Sequence, residues 1–159
     1  MINPAQFREY VVLPVLIGLG AWSPSAEALI MGTAAVESDL GLYLRQVGGP
    51  ALGVMQMEPA THNDIVNNYL MHRQLMWRDL VDVTGVDGLK ANNLVTNLAY
   101  SVAMARVHYL RQPEALPHAN DIEGLGRYWK AHYNTRKGRG TVEKFVDSYQ
   151  QIVGGAVRC

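Results

Sequence analysis

"SPSAEALIMGTAAVES" (residues 23–38), followed by "DLGLYLRQVGGPALGVMQMEPAT" (residues 39–61), is where the chain changes its rule. Ser23 suits a helix cap, Pro24 the first helical turn, and Glu27 the positive end of the helix dipole. Leu29, Ile30, Thr33, Ala34 and Val36 carry the helical period to Glu37. Four glycines, at 41, 48, 49 and 53, then break it together with Pro50. "LYLRQV" (42–47) and "LGVMQM" (52–57) read as short strands, so a small β-hairpin or irregular insertion is expected. One acid closes an apolar run. Sixteen residues later comes a glycine-led, methionine-rich, almost uncharged segment.

Outward from this stretch the pattern is helical. Asn3 caps a helix starting at Pro4, with Phe7, Tyr10, Val11 and Val15 in period and a kink expected at Pro14. Toward the C-terminus, helices are expected over residues 59–70, over 71–83 with Gly85 as the stop, and over 91–112 as the longest. Two more are expected over 121–134 and 139–155, the last closed by Gly154 and Gly155. The 159 residues fit one mainly α domain: an N-terminal helix (1–22), a central unit (24–135) and a C-terminal helix (139–155).

Composition excludes several function classes. Apolar residues make up 48% and charged residues 18%, a globular balance. Lys plus Arg equals Asp plus Glu at 14 each, which argues against a nucleic-acid partner held by charge. The one cysteine, Cys159, permits no internal disulfide. His62, His72, His108, His118 and His132 form no HExxH or paired Cys/His spacing, so no metal and no cofactor is expected. Residues 10–21, "YVVLPVLIGLGA", are too short to span a bilayer. "AEA" (26–28) has the form of a signal cleavage site, but cutting there destroys the helix presenting Glu37. A packed N-terminal helix is the expected reading, with no signal peptide and no membrane insertion.

Three segments line up in order: Glu37-Ser38; Gly53-Val54-Met55-Gln56 with Pro59-Ala60-Thr61; and His132-Tyr133-Asn134, preceded by Asn97 to Tyr109-Leu110. Their order and spacing resemble the soluble lytic transglycosylase domain of the lysozyme-like superfamily, over residues 24–135. That family shows ES, then GLMQ with a nearby P-x-T, then an N…YL helix, then AYN. Two departures stand out. The last motif runs "HYNTRKGRG" rather than AYNAG, placing Arg136, Lys137 and Arg139 where small residues are usual, and Glu58 replaces a commonly apolar residue. The basic loop could meet peptide-stem carboxylates or be a solvated turn.

The chemistry can be argued from the residues. Cleaving a glycosidic bond requires protonating a poor leaving group, and a carboxylic acid does so near neutral pH only if burial raises its pKa. Glu37 is the candidate acid, with Val54, Met55 and Met57 as a desolvating wall. Ser38 and Tyr133 are expected to hydrogen-bond around its carboxyl. Gln56 and Asn134 offer amides for sugar hydroxyls and N-acetyl groups. Gly53 permits close approach of backbone to substrate. Met55 is more natural as wall than as contact, and Trp22, Trp77 and Trp129 as core. Most glycosidases need a second carboxylate. Asp39, Glu58 and Asp64 are the candidates, none with a clear positional claim.

The resemblance implies a way around this. Lytic transglycosylases work with a single Glu, here Glu37, which protonates the leaving oxygen and then, as base, draws the proton from the C6 hydroxyl of N-acetylmuramic acid. A 1,6-anhydro ring forms without water. The expected partner is thus the glycan strand of peptidoglycan, and the place of action the cell wall or periplasm. A bacteriophage endolysin or a virion-associated enzyme, with other virion proteins as further partners, fits a domain of this size. A hydrolytic muramidase, a chitin-cleaving enzyme and a non-catalytic glycan-binding virion protein stay open.

Overall fold

The computed structural model describes residues 1–134 and 138–155. It is mainly helical, 63% helix and 2% strand, with no sheet among the described residues. The chain opens with α1 (Pro4–Phe7), a π-helical turn over Arg8–Val12, and α2 (Leu13–Gly18). The Asn3 side chain accepts from the Gln6 N–H, as its cap role requires. The irregularity expected at Pro14 takes the form of that π turn. The Leu13 N–H donates to the Arg8 carbonyl, just ahead of a residue with no N–H of its own.

The helix α3 (Pro24–Ser38) is the centre of the molecule. The Ser23 hydroxyl caps it by accepting from the Ala26 N–H, and Ala26 and the whole run Leu29–Val36 are buried. A helix apolar on every side has to be surrounded. It packs against α7 (Leu98–Leu110), α8 (Ile122–Trp129) and α9 (Val142–Ser148). Gly32 lets α9 come close: a Cβ there would sit 2.3 Å from the Phe145 ring. Between α3 and α7 run α4 (Pro59–Asn68), α5 (Gln74–Thr84) and the short α6 (Asn93–Thr96). Gly85 ends α5 with φ 68°. One apolar cluster runs from Phe7 to Val153 and includes residues of every helix named.

Three expectations need correction. The helix expected over 91–112 breaks at Asn97, whose backbone is extended (φ −137°, ψ 107°). The Asn97 side-chain oxygen Oδ1 accepts from the Tyr100 N–H at 2.9 Å and its side-chain Nδ2 donates to the Thr84 carbonyl at 2.9 Å. A cap residue therefore wins over the helical period. Asn97→Ala should cost about 1–3 kcal/mol, since it removes a cap and orphans a carbonyl. Urea unfolding reads this, and a loss under about 0.5 kcal/mol would show the break to be held by other contacts.

The β-hairpin alternative also fails. Residues 42–57 form only isolated bridges, Arg45 with Leu52 and Leu52 with Met57. Positive φ at Gly48 (72°), Gly53 (77°) and Gln56 (45°) interrupts any pleat. Residues 42–50 are exposed throughout, so one side of the would-be hairpin buries nothing. Finally, Trp22 is not core. It is 48% exposed and its indole N–H donates to Glu27, which also pairs with Arg8. No helix among the described residues is long and apolar enough to cross a membrane.

Candidate functional site

Glu37 occupies the last turn of α3, with Ser38 closing the helix. The chain then takes three left-handed residues in succession: Asp39 (φ 48°), Leu40 (52°) and Gly41 (80°). The Leu40 N–H reaches back to the Ala34 carbonyl at 3.0 Å, a tight reversal that satisfies the helix end. Left-handed backbone is costly for Asp and more so for Leu. Complete burial of the Leu40 side chain offsets it.

Just before that reversal, Val36 and Glu37 form part of the wall of a cleft of about 800 Å³. Glu37, Gln56, Tyr133 and Asn134 all line it, together with Met57 and Trp129. Residues from four separate stretches of chain, 36–37, 46–61, 129–134 and 138–144, together with His108, therefore converge on one groove. Arg139 is part of it; Arg136 and Lys137 lie outside the described residues.

The Glu37 carboxyl has one protein hydrogen-bond donor among the described residues, the Trp129 indole N–H at 2.9 Å. Trp129 itself is 1% exposed and packs against Phe145. Burial pushes the carboxyl up from 4.5 to about 7, against the opposing pull of the Trp129 hydrogen bond and the Lys144 charge. The acid is thus half protonated near neutrality. Trp129→Phe should move the alkaline limb of any Glu37-dependent activity to higher pH, since the removed donor favours the anion. A pH–rate profile of the variant checks this, and a limb that stays in place or moves down would contradict the assigned contact.

The expected partners of the carboxyl turn out to bind elsewhere. The Ser38 hydroxyl donates to the Val54 carbonyl at 2.7 Å and accepts from the Gly41 N–H at 2.8 Å. The Tyr133 hydroxyl donates to the Met55 carbonyl at 2.7 Å. Both therefore staple the 53–57 loop to the helices instead of gripping Glu37. Burial and the nearby Glu37 charge hold the Tyr133 phenol well above its usual range, so it stays neutral.

Met55 and Gly53 are not at the cleft surface. Met55 is fully buried, and its N–H donates to the Ser101 hydroxyl at 3.3 Å. Gly53 does permit a close approach, but to the protein itself: a Cβ there would lie 2.0 Å from the Leu94 carbonyl oxygen. Gln56 lines the cleft, yet its side-chain amide donates to the Gly53 carbonyl at 2.8 Å and steadies the turn. The Asn134 side chain accepts from Lys130 at 2.7 Å, and Lys130 also donates to the Gly138 carbonyl.

Of the second-acid candidates, only Glu58 lines the cleft. Asp39 is exposed beyond the helix end. Asp64 accepts from Arg111 at 2.6 Å, and that contact holds its carboxyl below the usual range. Arg111 also donates to His108 Nδ1, so the His108 proton sits on Nε2 and goes to the His132 carbonyl at 2.9 Å. Burial and the Arg111 charge push His108 down to about 4, which keeps this brace neutral. It supports the π-helical turn Lys130–Asn134 that presents Tyr133. Among the described residues, no three His, Cys, Asp or Glu side chains are grouped to hold a metal ion.

Sequence reasoning missed Trp129, Lys144, His108 and His132 at the cleft. A signal existed for one of them: a buried indole N–H needs an acceptor, and Trp129 lies four residues before Tyr133 on a helical stretch. Comparison with protein-family models, characterised proteins and solved structures yields no match to this chain.

Proposed function

We propose that this protein is a peptidoglycan lytic transglycosylase that cuts the β-1,4 bond from N-acetylmuramic acid to N-acetylglucosamine. The supporting observation is a single carboxyl, Glu37, kept protonated up to about pH 7 on the wall of an open cleft. A raised carboxylic pKa is what a general acid needs near neutrality.

The proton of Glu37 goes to the bridging oxygen as the C1–O bond breaks. The acetamido oxygen of the muramic acid closes on C1 and holds the positive centre. The Glu37 carboxylate then takes the proton of the C6 hydroxyl, O6 bonds to C1, and the acetamido oxygen leaves. Glu37 ends protonated, and no water enters. Gln56 and Asn134 line the path of the strand, while Ser38 and Tyr133 hold the loop that shapes it. The cell wall is then the site of action. A phage lysin or particle-borne enzyme is the setting we assign by analogy alone.

One observation favours a second reading. Glu58 lines the same cleft, so a hydrolytic muramidase with Glu58 directing a water is the rival. Mass spectrometry of fragments released from purified sacculi separates the two. Anhydro ends support the transglycosylase. Reducing ends, heavier by one water, overturn it in favour of the muramidase. Wall digestion that survives Glu37→Gln would remove the catalytic reading of this residue altogether.

A further inference from the structure

Glu37 stands where two hollows meet. The larger is the cleft of about 800 Å³, the smaller a recess of about 320 Å³, and they share Glu37, Gln46, Val47 and Gln56. The recess therefore overlaps the cleft along these four residues and extends it toward Tyr43. The two hollows differ in chemistry. The larger lobe carries Arg139 and Lys144 beside Asn134 and Glu58. The recess adds only Tyr43 to the shared residues and has no cation.

Tyr43 is 47% exposed and Val47 87% exposed, with Leu42 and Leu44 exposed beside them. Apolar side chains gathered at the lip of a groove gain free energy when a ligand covers them. An aromatic ring adds a flat face for the C–H face of a pyranose. A carboxylate, by contrast, is drawn to guanidinium and ammonium groups.

We infer that Tyr43 builds the leaving-group subsite, which takes an uncharged N-acetylglucosamine ring. The Arg139–Lys144 lobe takes N-acetylmuramic acid with its O3 lactyl-peptide substituent, whose free carboxylates lie on the stem. The strand then crosses Glu37 in one polarity only. This rests on the glycosidase reading above and adds its orientation. The two sugars differ by that one acidic substituent, and the two lobes differ by the presence of cations.

The test uses the full chain carrying Glu37→Gln, so that ligands bind without turnover. It is titrated by calorimetry with two probes: an N-acetylglucosamine tetramer, and a peptidoglycan tetrasaccharide bearing its peptide stems. Adding Tyr43→Ala should weaken both probes about three- to tenfold, the worth of one aromatic contact, while Tyr43→Phe keeps both. Arg139→Ala with Lys144→Ala should weaken only the stem-bearing probe. All three side chains are exposed, so the fold is expected to survive each change. Unchanged affinity for the tetramer in Tyr43→Ala overturns the subsite, and equal losses for both probes in the double variant overturn the polarity. Failure of the stem-bearing probe to bind at all overturns the glycosidase reading and this assignment with it, and failure of the tetramer alone overturns only the subsite. Glu37-dependent wall cleavage with a silent Tyr43→Ala leaves the parent reading standing and removes this one.

Discussion

Glu37→Gln is expected to abolish glycan cleavage and, above neutral pH, to make the folded protein more stable. The loss of activity follows from removing the transferable proton, an effect of about a hundredfold to ten-thousandfold for general acids and larger where the same group also serves as base. The gain in stability follows from linkage. Burial raises the folded-state pKa of Glu37 from 4.5 to about 7. Below pH 4.5 both folded and unfolded chains hold the proton, and the residue costs nothing. Between 4.5 and 7 the unfolded chain releases the proton first, so stability falls as pH rises. Above 7 the cost of the buried charge is complete, with an upper limit of about 3 kcal/mol.

Glutamine never bears that charge, and its side-chain oxygen can still accept from the Trp129 indole. Urea unfolding at pH 8 should therefore favour the variant by about 1–3 kcal/mol, and the difference should shrink toward zero near pH 4.5. A variant no more stable than the parent at pH 8 would mean that Glu37 is not held in a desolvated site. The parent's cleavage rate should fall as pH rises through about 7, because only the acid form can start the reaction.

Gly53→Ala should be the most damaging single change to the fold. The residue has φ 77°, where any L side chain is strained. Its added methyl would also meet the Leu94 carbonyl oxygen at 2.0 Å and the Ser101 hydroxyl at 2.7 Å. The first of these is backbone and cannot swing aside. We expect a loss of about 3–5 kcal/mol, or about 10 °C in Tm for a chain of this length. A thermal shift under about 2 °C would show that the 53–57 loop has slack that the packing does not reveal. The position matters to the site because the loop passes its geometry on: Val54 and Met55 offer the carbonyls that Ser38 and Tyr133 bind.

The two variants fail in opposite ways. One loses chemistry and gains stability; the other loses the scaffold. That contrast is expected where a buried acid is kept for function at the expense of the folded state.

Much of the architecture was legible along the chain because helix ends are written in short-range chemistry. Asn3 and Ser23 cap the helices that follow them, Pro24 and Pro59 sit at their starts, and Gly85 ends another in left-handed backbone. The placing of Glu37 at the close of a buried helix was equally plain, since apolar residues on every side of α3 leave no exposed face.

Contacts across long sequence distances were not legible. Trp129 reaches Glu37 over 92 positions, and Tyr133 reaches Met55 over 78. Tyr133 was expected at the Glu37 carboxyl and binds the Met55 carbonyl instead, while Trp129 is core as expected and its indole also supplies the donor to Glu37. Asn97 was hidden in an unbroken helical period because its second bond goes to Thr84, at the end of α5. Periodicity and caps depend on neighbours within a turn or two, so a linear reading can settle them. Which polar group satisfies which, and how far an acid is taken out of water, depends on segments that meet only when the core closes around α3.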